Sequence, residues 1–249
     1  MRRVLVTGAA SGLGAALTAA FRARGDEVLA TDRSGADLTL DVTSEADWAA
    51  AVAEVERRWD GLDVLVHNAG VAGGGRLDVA EIEEWQRVLD VNLLGMARGM
   101  WAFTPLLKRQ RGGQVVAVAS LAGLVHPAGM ASYNAAKAGV VAFTETIGHE
   151  LAGYGVRAMA VCPSYFRTNL VASMSGRDEA VGAIVARLVE ESPVTADDVA
   201  AAVLDGLDRG AELVLPDEFA RAAYRLKLED RSAYDQQMRA QAAKLERLT

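Results

Sequence analysis

Tyr133 and Lys137 stand four residues apart, so on a helix they share a face. An ammonium held beside a phenol favours the phenolate. Two unit charges about 4 Å apart interact by about 4 kcal/mol at an effective dielectric near 20. That is enough to lower a phenol pKa of about 10 by as much as about 3 units, into the range of a usable base. Ser120 precedes Tyr133 by 13 residues and follows a strand-like run, Val115 to Ala119. A hydroxyl there can hydrogen-bond a substrate alcohol or carbonyl. Taken alone, a Y-x-x-x-K spacing is most simply a surface pair.

A second group of residues suits a dinucleotide. Val4-Leu5-Val6 reads as a buried strand, and Thr7-Gly8-Ala9-Ala10-Ser11-Gly12-Leu13-Gly14 follows it. The glycines are spaced G-x-x-x-G-x-G, which is neither the P-loop nor the G-x-G-x-x-G pattern. The mechanics are those of the latter: a tight turn, a close backbone approach, and helix amides that face a pyrophosphate. Asp32 ends the second strand 18 residues after Gly14. Its carboxylate can accept from ribose hydroxyls and would repel a 2′-phosphate, which favours NAD. Arg33 beside it can instead pair with that phosphate, so NADP stays open.

These residues need a scaffold that gathers them. Strands are expected at 4–6, 28–30, 38–42, 64–66, 115–119, 156–161 and 213–215. Helices are expected from Leu13 to the cap at Gly25, from Ser44 to Trp59, and over 79–107 with a break near Pro105. More follow over 131–153, 178–190 and 196–209. The alternation implies an α/β fold, a Rossmann-type doubly wound parallel sheet of about seven strands in a single domain, residues 1–216. About six residues separate the second and third strands, too few for a crossover helix, so a bare loop is expected there. Residues 217–249 fall outside the alternation. Tyr234, Met238, Gln241, Leu245 and Leu248 make one stripe of an amphipathic helix, expected to pack on its own subunit or a neighbour near the substrate entrance.

In this order and spacing, the glycine loop, Asn68-Ala69-Gly70, Asn92, Ser120, Tyr133 and Lys137 resemble the short-chain dehydrogenase/reductase family over roughly residues 2–215. The resemblance implies roles. Tyr133 would be the general acid/base. Lys137 would lower its pKa and bind the nicotinamide ribose, Ser120 would orient the substrate oxygen, and Asn92 would hold a water that links Lys137 to a proton relay. Gly8, Ser11, Gly12, Leu13, Gly14, Asp32, Arg33, Asp41, Val42, Asn68, Ala69 and Gly70 would line the cofactor. So would Pro163, Phe166 and Thr168, from a segment that resembles the family's P-G-x-x-x-T. Several departures stand out, among them the short second-to-third strand connection, which bears on the adenine pocket and so on the cofactor preference. His67 replaces the first Asn of N-N-A-G, Ser164 replaces the Gly after Pro163, and the glycine pair common after the last strand is missing.

The expected activity is nicotinamide-dependent interconversion of a secondary alcohol and a ketone. The same reaction run as an NADPH-dependent carbonyl reductase is the second reading. A dinucleotide sensor without catalysis is the third, and it would be expected to have lost Tyr133 or Lys137. Leu121, Val125, Met130, Phe166, Leu170 and Met174 hint at an apolar substrate, although several suit a core equally well. His126 could touch substrate but reads more simply as a solvated loop histidine, and Cys162 reads as a buried small hydrophobe.

Composition narrows the classes. The 249 residues carry 26 basic and 33 acidic side chains, a net charge of −7, which is unsuited to binding a polyanion. One cysteine allows no internal disulfide, and the three histidines are too scattered for a metal motif. The chain runs directly into its first strand and has no membrane-length apolar stretch, so the expected compartment is the cytoplasm. The long helices at 79–107 and 131–153 and the family resemblance imply a homodimer or homotetramer.

Overall fold

The computed structural model describes residues 1–168, 170, 173–174 and 176–248 and, for Leu248, the backbone alone. A seven-stranded parallel sheet runs through the centre in the order β3-β2-β1-β4-β5-β6-β7. The strands are β1 (Arg3–Thr7), β2 (Glu27–Asp32), β3 (Leu38–Thr39), β4 (Val64–His67), β5 (Gly113–Val118), β6 (Val156–Val161) and β7 (Leu213–Val214). Alternate side chains feed two cores. Val4, Val6, Val28 and Val66 pack with α1 (Gly12–Ala23) and α8 (Ala196–Arg209). Leu5, Leu29 and Leu65 pack with α2 (Glu45–Trp59), α4 (Gly95–Gln110) and α6 (Ala131–Leu151) on the other face. Leu17 and Phe21, on the stripe that marks α1, are fully buried.

The helix starts carry the expected signals. The Ser44 hydroxyl accepts from the Asp47 amide at 3.2 Å. Thr195 and Asp198 form a capping box on α8. Gly25 lies just past α1 with a φ of +83°, where a side chain would be strained.

Three expectations need correction. The third strand is two residues long rather than five, because Asp41 leaves the ladder to bind Thr43. The connection from β2 is the bare loop foreseen. The 79–107 helix does not break at Pro105, which sits inside α4, where the Thr104 hydroxyl donates to the Met100 carbonyl at 2.6 Å. The interruption is a π-turn at Asp90–Leu94, between α3 (Ile82–Leu89) and α4. Its cause is tertiary. The Asn92 amide clamps Val71 from both sides, accepting from its N–H and donating to its carbonyl, each at 2.9 Å. The segment after β7 forms two helices, α9 (Glu218–Glu229) and α10 (Arg231–Leu245), not one. Two further helices complete the fold, α5 (Ala122–Val125) and α7 (Glu179–Glu190).

Candidate active site

At the carboxyl edge of the sheet lies a cavity of about 1640 Å³. Parallel α/β sheets place ligands at this edge. It is lined by Gly8, Ser11, Gly12, Leu13, Asp32, Arg33, Asp41, Val42, Asn68, Ala69, Gly70, Asn92, Ser120, Tyr133, Lys137, Pro163, Phe166 and Thr168, which gathers nearly every residue expected there. Gly14 is the exception. It faces inward, and a β-carbon on it would fall 2.0 Å from the Gly8 carbonyl oxygen. It lets α1 approach β1 rather than touching a ligand. The cavity also takes in residues that sequence reasoning passed over, among them Leu40, Val71, Tyr165 and Asp217.

The glycine loop is braced from β4. The Asn68 side chain donates to the Thr7 carbonyl at 2.8 Å, and the Thr7 hydroxyl accepts from the Asn68 and Ala69 amides, both at 3.0 Å. Ser11 is the N-cap of α1 but makes no side-chain capping bond. The first-turn amides of α1 thus have no side-chain cap, the arrangement an anionic group fits. Thr168 stands over the loop, its hydroxyl 2.8 Å from where a Gly12 β-carbon would be.

At the β2 end, Asp32 accepts from the Ala10 amide at 3.0 Å and the Arg33 amide at 2.7 Å. Asp41 is held below the usual carboxylate range, first by the Thr43 hydroxyl and amide, with Arg33 among the cations that assist. Its neighbour Val42 is buried, and the Val42 carbonyl accepts from the Trp48 indole at 3.0 Å.

Tyr133 and Lys137 are both buried on α6. The Ser120 hydroxyl hydrogen-bonds the Tyr133 phenol and accepts from the Ala122 amide at 3.1 Å. The expected lowering of the phenol is not found. Burial pushes Tyr133 up to about 12, with Ser120 opposing. Lys137 does not offset the burial. Its ammonium donates to the Val118 carbonyl at 2.8 Å and lies 5.6 Å from the Tyr133 ring centroid. Burial brings Lys137 itself down to about 8. Asn92 has both ends of its amide engaged by Val71 and makes no side-chain bond to Lys137.

A short-chain dehydrogenase family model matches residues 2–179. The chain belongs to the short-chain dehydrogenase/reductase family. Within the family it is similar to 2-(R)-hydroxypropyl-CoM dehydrogenase of Xanthobacter autotrophicus, with 34% identity over 224 residues, 82% of this chain and 90% of that protein. Two solved structures resemble it closely. One is a short-chain dehydrogenase/reductase from Burkholderia phymatum in complex with NAD, at a TM-score of 0.85 and 27% identity, covering 92% of this chain and 93% of that one. The other is a short-chain dehydrogenase from Burkholderia cenocepacia in complex with NADP, at 0.83 and 28%, covering 95% and 97%. The family's NAD(P)-dependent enzymes act on secondary alcohols and ketones, and this chain is an oxidoreductase of that kind.

Two of the family departures have visible consequences. Ser164 donates its amide and hydroxyl to Asp217, at 3.0 and 2.7 Å. His67 is buried against Trp48, ring centroids 5.6 Å apart, and its Nε2 has no partner among the described residues. Burial brings the imidazole down to about 3. The unfolded chain, titrating near 6.5, therefore binds more protons than the folded one between those values. The stability from a neutral His67 is present above pH 6.5 and is lost as pH falls toward 3, by up to about 1.4 kcal/mol per unit. A His67→Asn variant is expected to lose melting temperature less steeply than the parent between pH 7 and pH 4. Parallel curves would contradict this.

His126 is exposed, as expected of a loop histidine, and has two partners. Its Nε2 lies 3.1 Å from the Gly123 carbonyl and its Nδ1 3.1 Å from the Lys227 ammonium. Cys162 is buried as expected, its thiol pushed up to about 12. No described helix is long and apolar enough to cross a membrane.

Proposed function

We propose that the protein oxidises an apolar secondary alcohol, or reduces the matching ketone, with NAD as its preferred dinucleotide. The observation that carries this reading is the cavity itself. It joins the Asp32 carboxylate and the α1 amides at one end to the Ser120–Tyr133 pair at the other. Bound there, the nicotinamide would supply the hydride donor or acceptor. Gly8, Ser11, Gly12 and Leu13 would hold the pyrophosphate. Asp32 would take the adenosine ribose, and Asp41 and Val42 would flank the adenine. Asn68, Ala69, Gly70, Pro163, Phe166 and Thr168 would enclose the nicotinamide half.

The chain's own groups manage the proton. Ser120 orients the substrate oxygen toward the Tyr133 hydroxyl. With its phenol held protonated by burial, Tyr133 is set to give a proton to a carbonyl. To take one from an alcohol, it would draw on the Lys137 charge, 5.6 Å from its ring centroid, to favour the phenolate. Asn92 keeps the π-turn and the Val71 segment in register beside Lys137. Its own link to a relay water would then run through backbone rather than through its occupied amide.

The test is turnover of purified protein with NAD and NADP across a panel of secondary alcohols, read at the absorbance of the reduced nicotinamide. Faster turnover with NAD supports the reading, and no turnover with either dinucleotide overturns it.

We further propose a homo-oligomer. Leu94 and Trp101, seven residues apart, are exposed at 47% and 75% on one side of the π-turn and α4. Paired across a two-fold axis, they would be covered. Light scattering is expected to give at least twice 26.3 kDa at micromolar concentration, and the monomer mass would contradict it.

A further inference from the structure

Resting on the alcohol–ketone reading above, we propose that α9 and α10 form the outer wall of the substrate chamber and select a bulky, apolar ring or chain, with Met238 and Leu245 as specificity-determining residues. Tyr234, Met238, Gln241 and Leu245 fall on one stripe of α10, and all four line the cavity that holds Ser120 and Tyr133. Leu248, at the end of that stripe, lies outside the described side chains. Leu245 packs into the cluster that contains Tyr133, Met130 and Val181. A β-carbon on Gly129, two residues before the start of α6, would come within 2.9 Å of the Leu245 Cδ1. The tail thus reaches the loop that leads into the Tyr133 helix.

The wall is fastened at both helices. Asp217 caps α9 through the Ala220 amide at 2.8 Å while it binds Ser164. A glycine at 164, the family's residue, would lack the hydroxyl half of that latch. Lys227 on α9 donates to the Leu124 carbonyl of α5. Tyr234 is buried at 5% exposure, and Asp230 caps α10 through the Ala233 amide at 2.9 Å. Isolated helices of this length are marginal in water, so these contacts are what keep the wall in place.

Size and lining set the ligand class. A pocket for one drug-sized ligand measures roughly 300–1,000 Å³. The 1640 Å³ cavity therefore has room for a dinucleotide and a second sizeable body. Met238 and Leu245 share this lining with Met130, Val181, Ile184 and Leu188, so the second body meets a largely hydrocarbon surface. Such a chamber ranks ligands by the apolar surface they bury.

Ketone binding to the NAD-loaded protein tests this, because two oxidised partners cannot react. Calorimetry is expected to show cyclododecanone bound at least about tenfold more tightly than cyclohexanone. Met238→Asp and Leu245→Asp should each shrink that ratio by about tenfold or more, with NAD affinity unmoved. Gln241 is exposed, so Gln241→Trp leaves the fold intact while it fills the chamber. It should remove cyclododecanone binding and spare cyclohexanone. Parent protein that does not discriminate, or ratios unchanged in Gln241→Trp, would overturn the proposal. If the parent ratio is as expected but reduced nicotinamide is never consumed with either ketone, the alcohol–ketone reading fails and the wall assignment stands.

Discussion

Tyr133→Phe is expected to lower turnover by about 10²–10⁴-fold, the usual contribution of a positioned proton-transfer group. The substitution removes one hydroxyl from a buried ring. It keeps the surface over which the Lys137 ammonium sits at 5.6 Å, so the packing around the dinucleotide pocket persists. Dinucleotide affinity should therefore stay within about threefold of the parent, the pattern of an interaction made mainly in the chemical step. Steady-state kinetics and a dinucleotide titration separate the two quantities. Activity within a few-fold of the parent would remove Tyr133 from the proton-transfer role.

Asp32→Ala is expected to lower the ratio of kcat/KM for NAD over NADP by about 10–100-fold. A hydrogen bond to a charged acceptor contributes about 1.5–3 kcal/mol, and each 1.4 kcal/mol is tenfold. Two effects act in the same direction. The variant loses a carboxylate that accepts from ribose hydroxyls, and it no longer repels a 2′-phosphate. It also leaves the Ala10 amide without its 3.0 Å acceptor, so part of the loss falls on the glycine loop itself. A parent that prefers NADP would mean that Arg33 governs the adenosine end.

The parts of this site that the sequence reveals are those set by local spacing. A glycine pattern between a strand and a helix, and a tyrosine and lysine one turn apart, follow from periodicity alone. The parts it hides depend on partners far along the chain. The π-turn at Asp90–Leu94 exists because Asn92 is tied to Val71, 21 residues away, while Pro105, the obvious breaker, is absorbed within α4. The phenol is raised rather than lowered because the fold buries it, while Val118, from β5, holds the Lys137 ammonium. Spacing placed the two residues on one face but said nothing of that tether. Ser164 looks in the sequence like a blemish in a glycine position. Its purpose emerges only when Asp217, 53 residues on, is seen to bind it. Helix α9 gives a weak sequence signal because Ala220 is its one buried residue, too small to make an apolar stripe. The Asp217 cap was the available signal.

The central claim is that Ser120, Tyr133 and the dinucleotide end of the cavity act on one substrate carbon. Its most direct test is hydride tracing in the parent protein. A secondary alcohol deuterated at its carbinol carbon is incubated with NAD, and the reduced nicotinamide is isolated and weighed by mass spectrometry. The account predicts one deuterium in each reduced nicotinamide formed. Reduced nicotinamide without deuterium, or none formed across the alcohol panel although NAD binds, would contradict it.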